Sequence, residues 1–265
     1  MKDITDQQEL QQSVSGAKKI NFLVLLLFII SACSSKNCYN SVCIKEVKNR
    51  DRIEIYAENL DPFTKSLEFE TETDNLLAYN NISNQVIFPN SSKKIQDFLI
   101  QDQNKLWRYN YSIKLYNGSY ETNEKKIILN QLPFDKKVNF RISKNHHRLN
   151  SKYAIDFIIP EGTKVVAVED GYIVNLEDKF TKGGDNLKYL GKANFIAIVH
   201  NDGKITEYFH LAHNSITKKR GDFVKRGEVI GLSGNTGYST GPHLHFQVSK
   251  PFPKLGYISI PIDFE

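Results

Sequence analysis

Between residues 52 and 115 the chain alternates apolar and polar positions in short runs. Arg52-Ile53-Glu54-Ile55, Leu67-Glu68-Phe69-Glu70 and Trp107-Arg108-Tyr109-Asn110-Tyr111-Ser112-Ile113-Lys114-Leu115 each put apolar or aromatic side chains on one face of an extended backbone. Successive side chains of a strand point to opposite sides, so each run predicts a half-buried strand. Turn signals at Asp61-Pro62, Pro89-Asn90 and Asn117-Gly118 separate the runs. Strands at this spacing predict a small antiparallel β-sandwich, immunoglobulin-like, over residues 51–132. Trp107, Tyr109 and Tyr111 share one face, and aromatics at period two read as a buried face before they read as a sugar-binding surface.

A second pattern starts near Leu132-Pro133-Phe134. Its runs are β-branched and broken by glycines: Lys164-Val165-Val166-Ala167-Val168, Phe195-Ile196-Ala197-Ile198-Val199 and Glu228-Val229-Ile230-Gly231-Leu232. No long helical period separates them, so residues 133–265 are expected to form another antiparallel sheet, and the fold class is all-β. The glycine- and lysine-rich excursion over residues 178–192 reads as a long hairpin loop, with a flap as the alternative.

The N-terminus has a different pattern. Lys18 and Lys19 precede an apolar stretch over residues 22–30, which meets Ser31 and Ala32 before Cys33. A helical span of a bilayer needs about 20 apolar residues, so this shorter stretch reads as an export signal covering residues 1–32. Ile30-Ser31-Ala32-Cys33 resembles the lipobox of bacterial lipoproteins. That resemblance implies cleavage before Cys33, lipidation of that residue and a membrane as partner. Ser34 resembles the pattern that accompanies outer-membrane placement, so the expected location is the periplasmic side of the envelope. The partly acidic leader with Asp3, Asp6 and Glu9 departs from the usual signal and leaves the true start open. Residues 33–50, polar and mixed in charge, read as a tether. Once Cys33 is acylated, Cys38 and Cys43 remain as an even pair, for which a small disulfide loop is expected in an oxidising compartment.

A length of 265 residues accommodates two modest domains, and the net charge of +5 favours anionic surfaces such as a cell wall. No block of Lys and Arg interleaved with aromatics marks a nucleic-acid path, so nucleic acid is not an expected partner.

All seven histidines lie at or beyond position 146. His243 and His245 are two apart in Pro242-His243-Leu244-His245-Phe246-Gln247-Val248, a strand-like segment that projects both imidazoles from one face. Converging imidazoles suit zinc, which takes neutral nitrogen and carboxylate oxygen. Alone, a His-x-His pair is weak evidence, since surface or hydrogen-bonded histidines explain many such pairs. His200, at a strand end before Asn201-Asp202-Gly203, reads as exposed, and His213 as surface packing or a groove residue.

The full stretch Ser233-Gly234-Asn235-Thr236-Gly237-Tyr238-Ser239-Thr240-Gly241-Pro242-His243-Leu244-His245-Phe246-Gln247-Val248 closely resembles the signature of the M23 peptidases, the lysostaphin or LytM-like endopeptidases. Three further stretches match in the family's order. Tyr153-Ala154-Ile155-Asp156-Phe157, followed by Pro160-Glu161-Gly162-Thr163, resembles the stretch with its aspartate ligand. Glu207-Tyr208-Phe209-His210-Leu211 resembles the strand with its central histidine. Gly221-Asp222-Phe223-Val224-Lys225-Arg226-Gly227-Glu228 resembles the turn that follows.

Carried over by position, the resemblance implies a Zn2+ cofactor held by His147, Asp156 and His245, with His210 and His243 as catalytic histidines. Three protein ligands leave a coordination position open for water or a substrate carbonyl, as hydrolytic zinc sites do. The first ligand stays open between His147 and the adjacent His146, because eight residues separate His147 from Asp156 where the common pattern has three. The implied substrates are the peptides of bacterial peptidoglycan. Relatives that have lost ligands regulate cell-wall amidases instead; here all five key positions are filled.

Overall fold

A computed structural model describes residues 9–16, 37–79, 83–122, 126–143 and 149–265. The apolar stretch 22–30, Cys33 and both His146 and His147 lie outside the described residues. The described residues are nearly all β: two three-residue 3-10 turns, Leu149–Ser151 and Leu187–Tyr189, interrupt a succession of strands. No described helix is long and apolar enough to cross a membrane. The chain divides into two compact units, which meet in sequence between Leu115 and Tyr116.

In the N-terminal unit, one sheet orders Asn37–Tyr39, Val42–Asn49, Arg52–Asn59, Ser91–Ile100 and Leu76–Tyr79. A second orders Glu9–Gly16, Trp107–Asn117, Lys65–Asp74 and Asn84–Ile87. Both contribute to one core: Ile53, Ile55, Ala57 and Phe98 from the first, Leu67, Phe69, Tyr109, Tyr111 and Ile113 from the second. Trp107, Tyr109 and Tyr111 are all buried, with Tyr109 stacked between the other two at centroid distances of 6.4 and 6.3 Å. The period-two aromatics are therefore a core face.

Residues 37–49, expected within the tether, are strands. The mixed charge that prompted that reading sits on Lys45, Glu46 and Lys48, while Val42, Cys43 and Ile44 are buried. Glu46 accepts a hydrogen bond from the Tyr109 hydroxyl at 2.7 Å. Asn40 and Ser41, both at positive φ, make the two-residue turn that a twisted hairpin favours. Cys38 and Cys43 face each other across this hairpin and are joined by a disulfide.

The C-terminal unit is built on one antiparallel sheet. Its order is Arg141–Ser143, Ile155–Ile158, Leu244–Phe252, Ile205–Leu211, Asn194–Val199, Gly171–Glu177 and Phe223–Val224, with Gly256–Ser259 also pairing Leu244–Phe252. Leu244, Phe246 and Val248 enter a core with Phe157, Ile196, Ile198 and Tyr208, against which Val165, Ile230 and Phe134 also pack. Alternation then sends His245, Gln247 and Ser249 to the opposite face. Ile127–Leu129 pairs in parallel with Ile262–Phe264, and Leu129 is buried in this same core. The change of unit thus precedes the expected break at 132/133: the apolar run Ile127-Ile128-Leu129 belongs with the C-terminal unit.

Candidate active site

Three adjacent strands of the C-terminal sheet and one glycine-rich segment bring four side chains together. Ile155–Ile158 and Leu244–Phe252 pair so that Asp156 lies opposite His245. On the other side of His245 is Phe209, in Ile205–Leu211. His243 enters just before its strand, bridged to Gly234 of the glycine-rich segment.

His210 needs a departure from the regular ladder. In an unbroken strand it would share a face with Tyr208 and point into the core. Against Asn194–Val199 the register steps from Phe195↔Phe209 to Asn194↔Leu211, so His210 is the extra residue of a bulge, with φ of 63°. Bulges bend the strand and re-aim a side chain. Leu211 consequently returns to the core, and the His210 ring lies 4.5 Å from that of His243 and 6.1 Å from that of His245, centre to centre. The left-handed backbone is costly for a residue with a Cβ, and such strain tends to concentrate at working sites.

All four residues are buried. His245 Nδ1 donates to Asp156 Oδ1 at 2.8 Å, and His243 Nε2 is 3.9 Å from the same oxygen. His243 Nδ1 donates to the Gly241 carbonyl at 2.8 Å, with Ser239 Oγ 3.1 Å away. His210 Nδ1 donates to the Thr236 carbonyl at 2.6 Å. In a neutral ring these bonds place the proton on Nδ1 and leave Nε2 as the acceptor, for both His210 and His243. Burial pushes the His210 pKa down to about 3, helped by the neighbouring charges of His243 and His245. Phe209 lies edge-on to His245 at 5.4 Å and stacks on Phe195, giving the site an apolar wall.

One carboxylate among neutral imidazoles is a donor set that fits zinc. Asp156 and His245 supply two such donors in contact. Among the described residues no three acidic, histidine or cysteine side chains form a complete metal site. The family resemblance implies a further donor at residues 146–147, which lie outside the described residues.

Beside the site, the 178–192 excursion is tied down. Gly183–Gly184 pairs in parallel with Gly237–Tyr238, and a Cβ on Gly183 would come within 1.8 Å of the Asn235 carbonyl oxygen. Only glycine allows this approach. Asp178 anchors the root of the loop: its carboxylate accepts from the backbone N–H groups of Ser215 and Ile216 at 3.3 and 3.0 Å. His213 is exposed and donates to the Asp178 carbonyl at 3.1 Å, apart from the four-residue cluster.

His200 corrects the expectation of an exposed strand end. It is buried, with Nδ1 donating to the Asp170 carbonyl at 2.8 Å and Nε2 accepting from the Thr206 hydroxyl at 2.9 Å. Burial lowers its pKa, outweighing the Asp170 hydrogen bond and the Glu169 and Asp202 carboxylates, while Lys204 adds to the lowering. The unfolded ring takes up a proton near pH 6.5, whereas the folded ring resists it. Its contribution to stability is therefore complete above about pH 6.5 and declines as pH falls below that value. We expect the melting temperature to drop further between pH 7.5 and 5.0 in the wild type than in a His200→Gln variant. Equal drops would show that His200 does not carry this dependence.

Three buried histidines and a carboxylate thus share one site on an antiparallel sheet. Residues 150–255 match Peptidase family M23, and the chain carries a peptidase M23 domain. An uncharacterized metalloprotease of Buchnera aphidicola is 41% identical over 125 residues, covering 44% of this chain and 30% of its own length. Lysostaphin of Staphylococcus simulans is 44% identical over 96 residues, 36% of this chain and 17% of that protein. Peptidoglycan DD-endopeptidase ShyA of Vibrio cholerae is 42% identical over 93 residues, 35% of this chain and 19% of that one. The aligned region thus spans less than a third of each of these relatives.

Proposed function

We propose that this protein is a zinc-dependent endopeptidase that hydrolyses peptide bonds of bacterial peptidoglycan. The observation that carries the reading is the cluster of Asp156, His210, His243 and His245, delivered to one place by two strand registers and a bulge. The likeness to a lysostaphin and to a peptidoglycan DD-endopeptidase supports the substrate class.

In this reading His147, Asp156 and His245 hold the ion, and His210 and His243 work on the substrate. The zinc, when bound, supplies Lewis acidity that activates water and polarises the scissile carbonyl. His210 and His243 each present an Nε2 acceptor because their Nδ1 protons are committed to backbone carbonyls. One accepts a proton at Nε2 from the attacking water and delivers it to the leaving amine; the Nε2 of the other accepts a hydrogen bond from that water and orients it. Phe209 and Phe195 exclude water from one side, which strengthens these polar interactions.

Support for a first ligand at 146–147 comes from the sheet edge. Ser143 pairs directly with Asp156 across Arg141–Ser143 and Ile155–Ile158. Paired Cα atoms in such a ladder lie about 4.5–5.5 Å apart, and each further residue extends the reach by about 3.3 Å at most. The chain beyond Ser143 is therefore long enough, at three or four residues, to return a side chain to the carboxylate. After dialysis, wild-type protein is expected to retain about one zinc per chain, His147→Ala very little, and His146→Ala most of it. Loss of zinc only in His146→Ala would transfer the role to that residue; full retention in both would remove this segment from the site.

We further propose export under the signal in residues 1–32, with lipid attachment at Cys33 on the periplasmic side of the envelope. The β-sandwich then acts as a spacer that carries the peptidase unit towards the wall. Incorporation of labelled palmitate into wild-type protein, absent from Cys33→Ala, tests the anchor.

A further inference from the structure

Thr236 lies in the glycine-rich segment ahead of His243 and is buried. Its hydroxyl accepts a hydrogen bond from the Asn194 backbone N–H at 2.9 Å and donates one to the Leu211 carbonyl at 2.8 Å. Its own carbonyl accepts from His210 Nδ1. One residue therefore grips the bulge twice, at the His210 ring and at the carbonyl immediately after it.

Asn194 backs this grip. It is fully buried, exchanges two 2.8 Å hydrogen bonds with the Phe180 backbone, and directs Nδ2 to the same Leu211 carbonyl at 3.3 Å. Asn194 is also the residue opposite Leu211 where the register steps. The clasp of Thr236, Asn194 and Leu211 thus sits at the point where His210 is turned out of the core into a left-handed backbone. A regular strand would bury the ring on the wrong face, so something specific must hold the irregular one.

We infer that Thr236 is a positioning residue for His210: its hydroxyl locks the bulge, and its carbonyl fixes the ring in the Nδ1-protonated form with Nε2 free to act on substrate. Orientation of a working histidine through its second nitrogen is a general device, and loss of such a partner costs about 10–100-fold in activity. The inference rests on the proposed catalytic role of His210, so one readout is chosen that does not require catalysis.

The test compares full-length wild type with Thr236→Val, which keeps the shape and removes the hydroxyl, and Thr236→Ser, which restores it. Histidine 15N spectra, with His210 assigned by the signal lost in His210→Gln, report the tautomer. We expect a single Nδ1-protonated His210 in wild type and the serine variant, and a mixture in the valine variant. The valine variant should also lose about 10–100-fold in kcat, with KM and zinc content unchanged and recovery in serine. Thr236→Ala, which also lacks the hydroxyl, gives the same reading if valine prevents folding. A valine or alanine variant with wild-type tautomer would overturn the inference, and a lower melting temperature with that tautomer intact would make Thr236 purely structural. If the wild type cleaves nothing, the proposed function fails, and the spectra still decide whether Thr236 positions the ring.

Discussion

Replacing Asp156 by asparagine is expected to abolish zinc retention and to lower peptidoglycan cleavage by more than about 100-fold, beyond the usual cost of losing an outer-shell partner. The substitution keeps volume and removes charge. Asp156 is 4% exposed, and His245 Nδ1 and His243 Nε2 lie 2.8 and 3.9 Å from its Oδ1. A carboxylate buried this deeply is costly unless a cation or strong donors compensate it. If its purpose is to hold an ion, the neutral amide should leave metal-free stability within about 1 kcal/mol of the wild type while ruining metal binding. If the carboxylate served only to brace His245, the variant would be less stable and would still bind zinc. Zinc content and a denaturant titration on the same sample separate these cases.

Truncating Phe246 to alanine is the change expected to cost most stability, about 3–5 kcal/mol by denaturant unfolding. Phe246 is fully buried, with ring centroids 5.2 Å from Tyr208, 5.8 Å from Phe264 and 6.5 Å from Phe157. It also sits beside His245 on the strand that joins Asp156 to the bulged strand. A void there loosens the sheet that fixes the site, so zinc affinity should fall with stability. A loss under about 1 kcal/mol would mean that the sheet repacks without this ring.

Much of this was legible because the sheets are amphipathic. The alternation from Trp107 to Leu115 predicts a strand, and the observed strand is Trp107–Asn117. The spacing of His243 and His245 predicts one shared face, and both rings lie with His210. Three features were hidden for physical reasons. Residues 42–49 bury one end of the strand and solvate the other, so their charge masks Val42 and Ile44. His200 sits before a turn, and only the fold reveals the Asp170 carbonyl and Thr206 hydroxyl that make its burial tolerable. The bulge at His210 has no local signature: Glu207-Tyr208-Phe209-His210-Leu211 reads as a regular strand, and its left-handed residue is no glycine. That conformation is set from outside by Thr236 and Asn194, 26 and 16 residues away in sequence. Within the family resemblance, the threonine was visible as part of a motif but not as the partner of a particular histidine.

The most direct test of the central claim is digestion of purified cross-linked peptidoglycan by the zinc-loaded full chain, with products read by mass spectrometry beside a His243→Ala control. A zinc-dependent endopeptidase leaves new peptide termini at one type of bond, produced by the wild type and absent from the control. A folded, zinc-bound wild type that releases no new termini would contradict it, and would leave the site as a binding or amidase-regulating module.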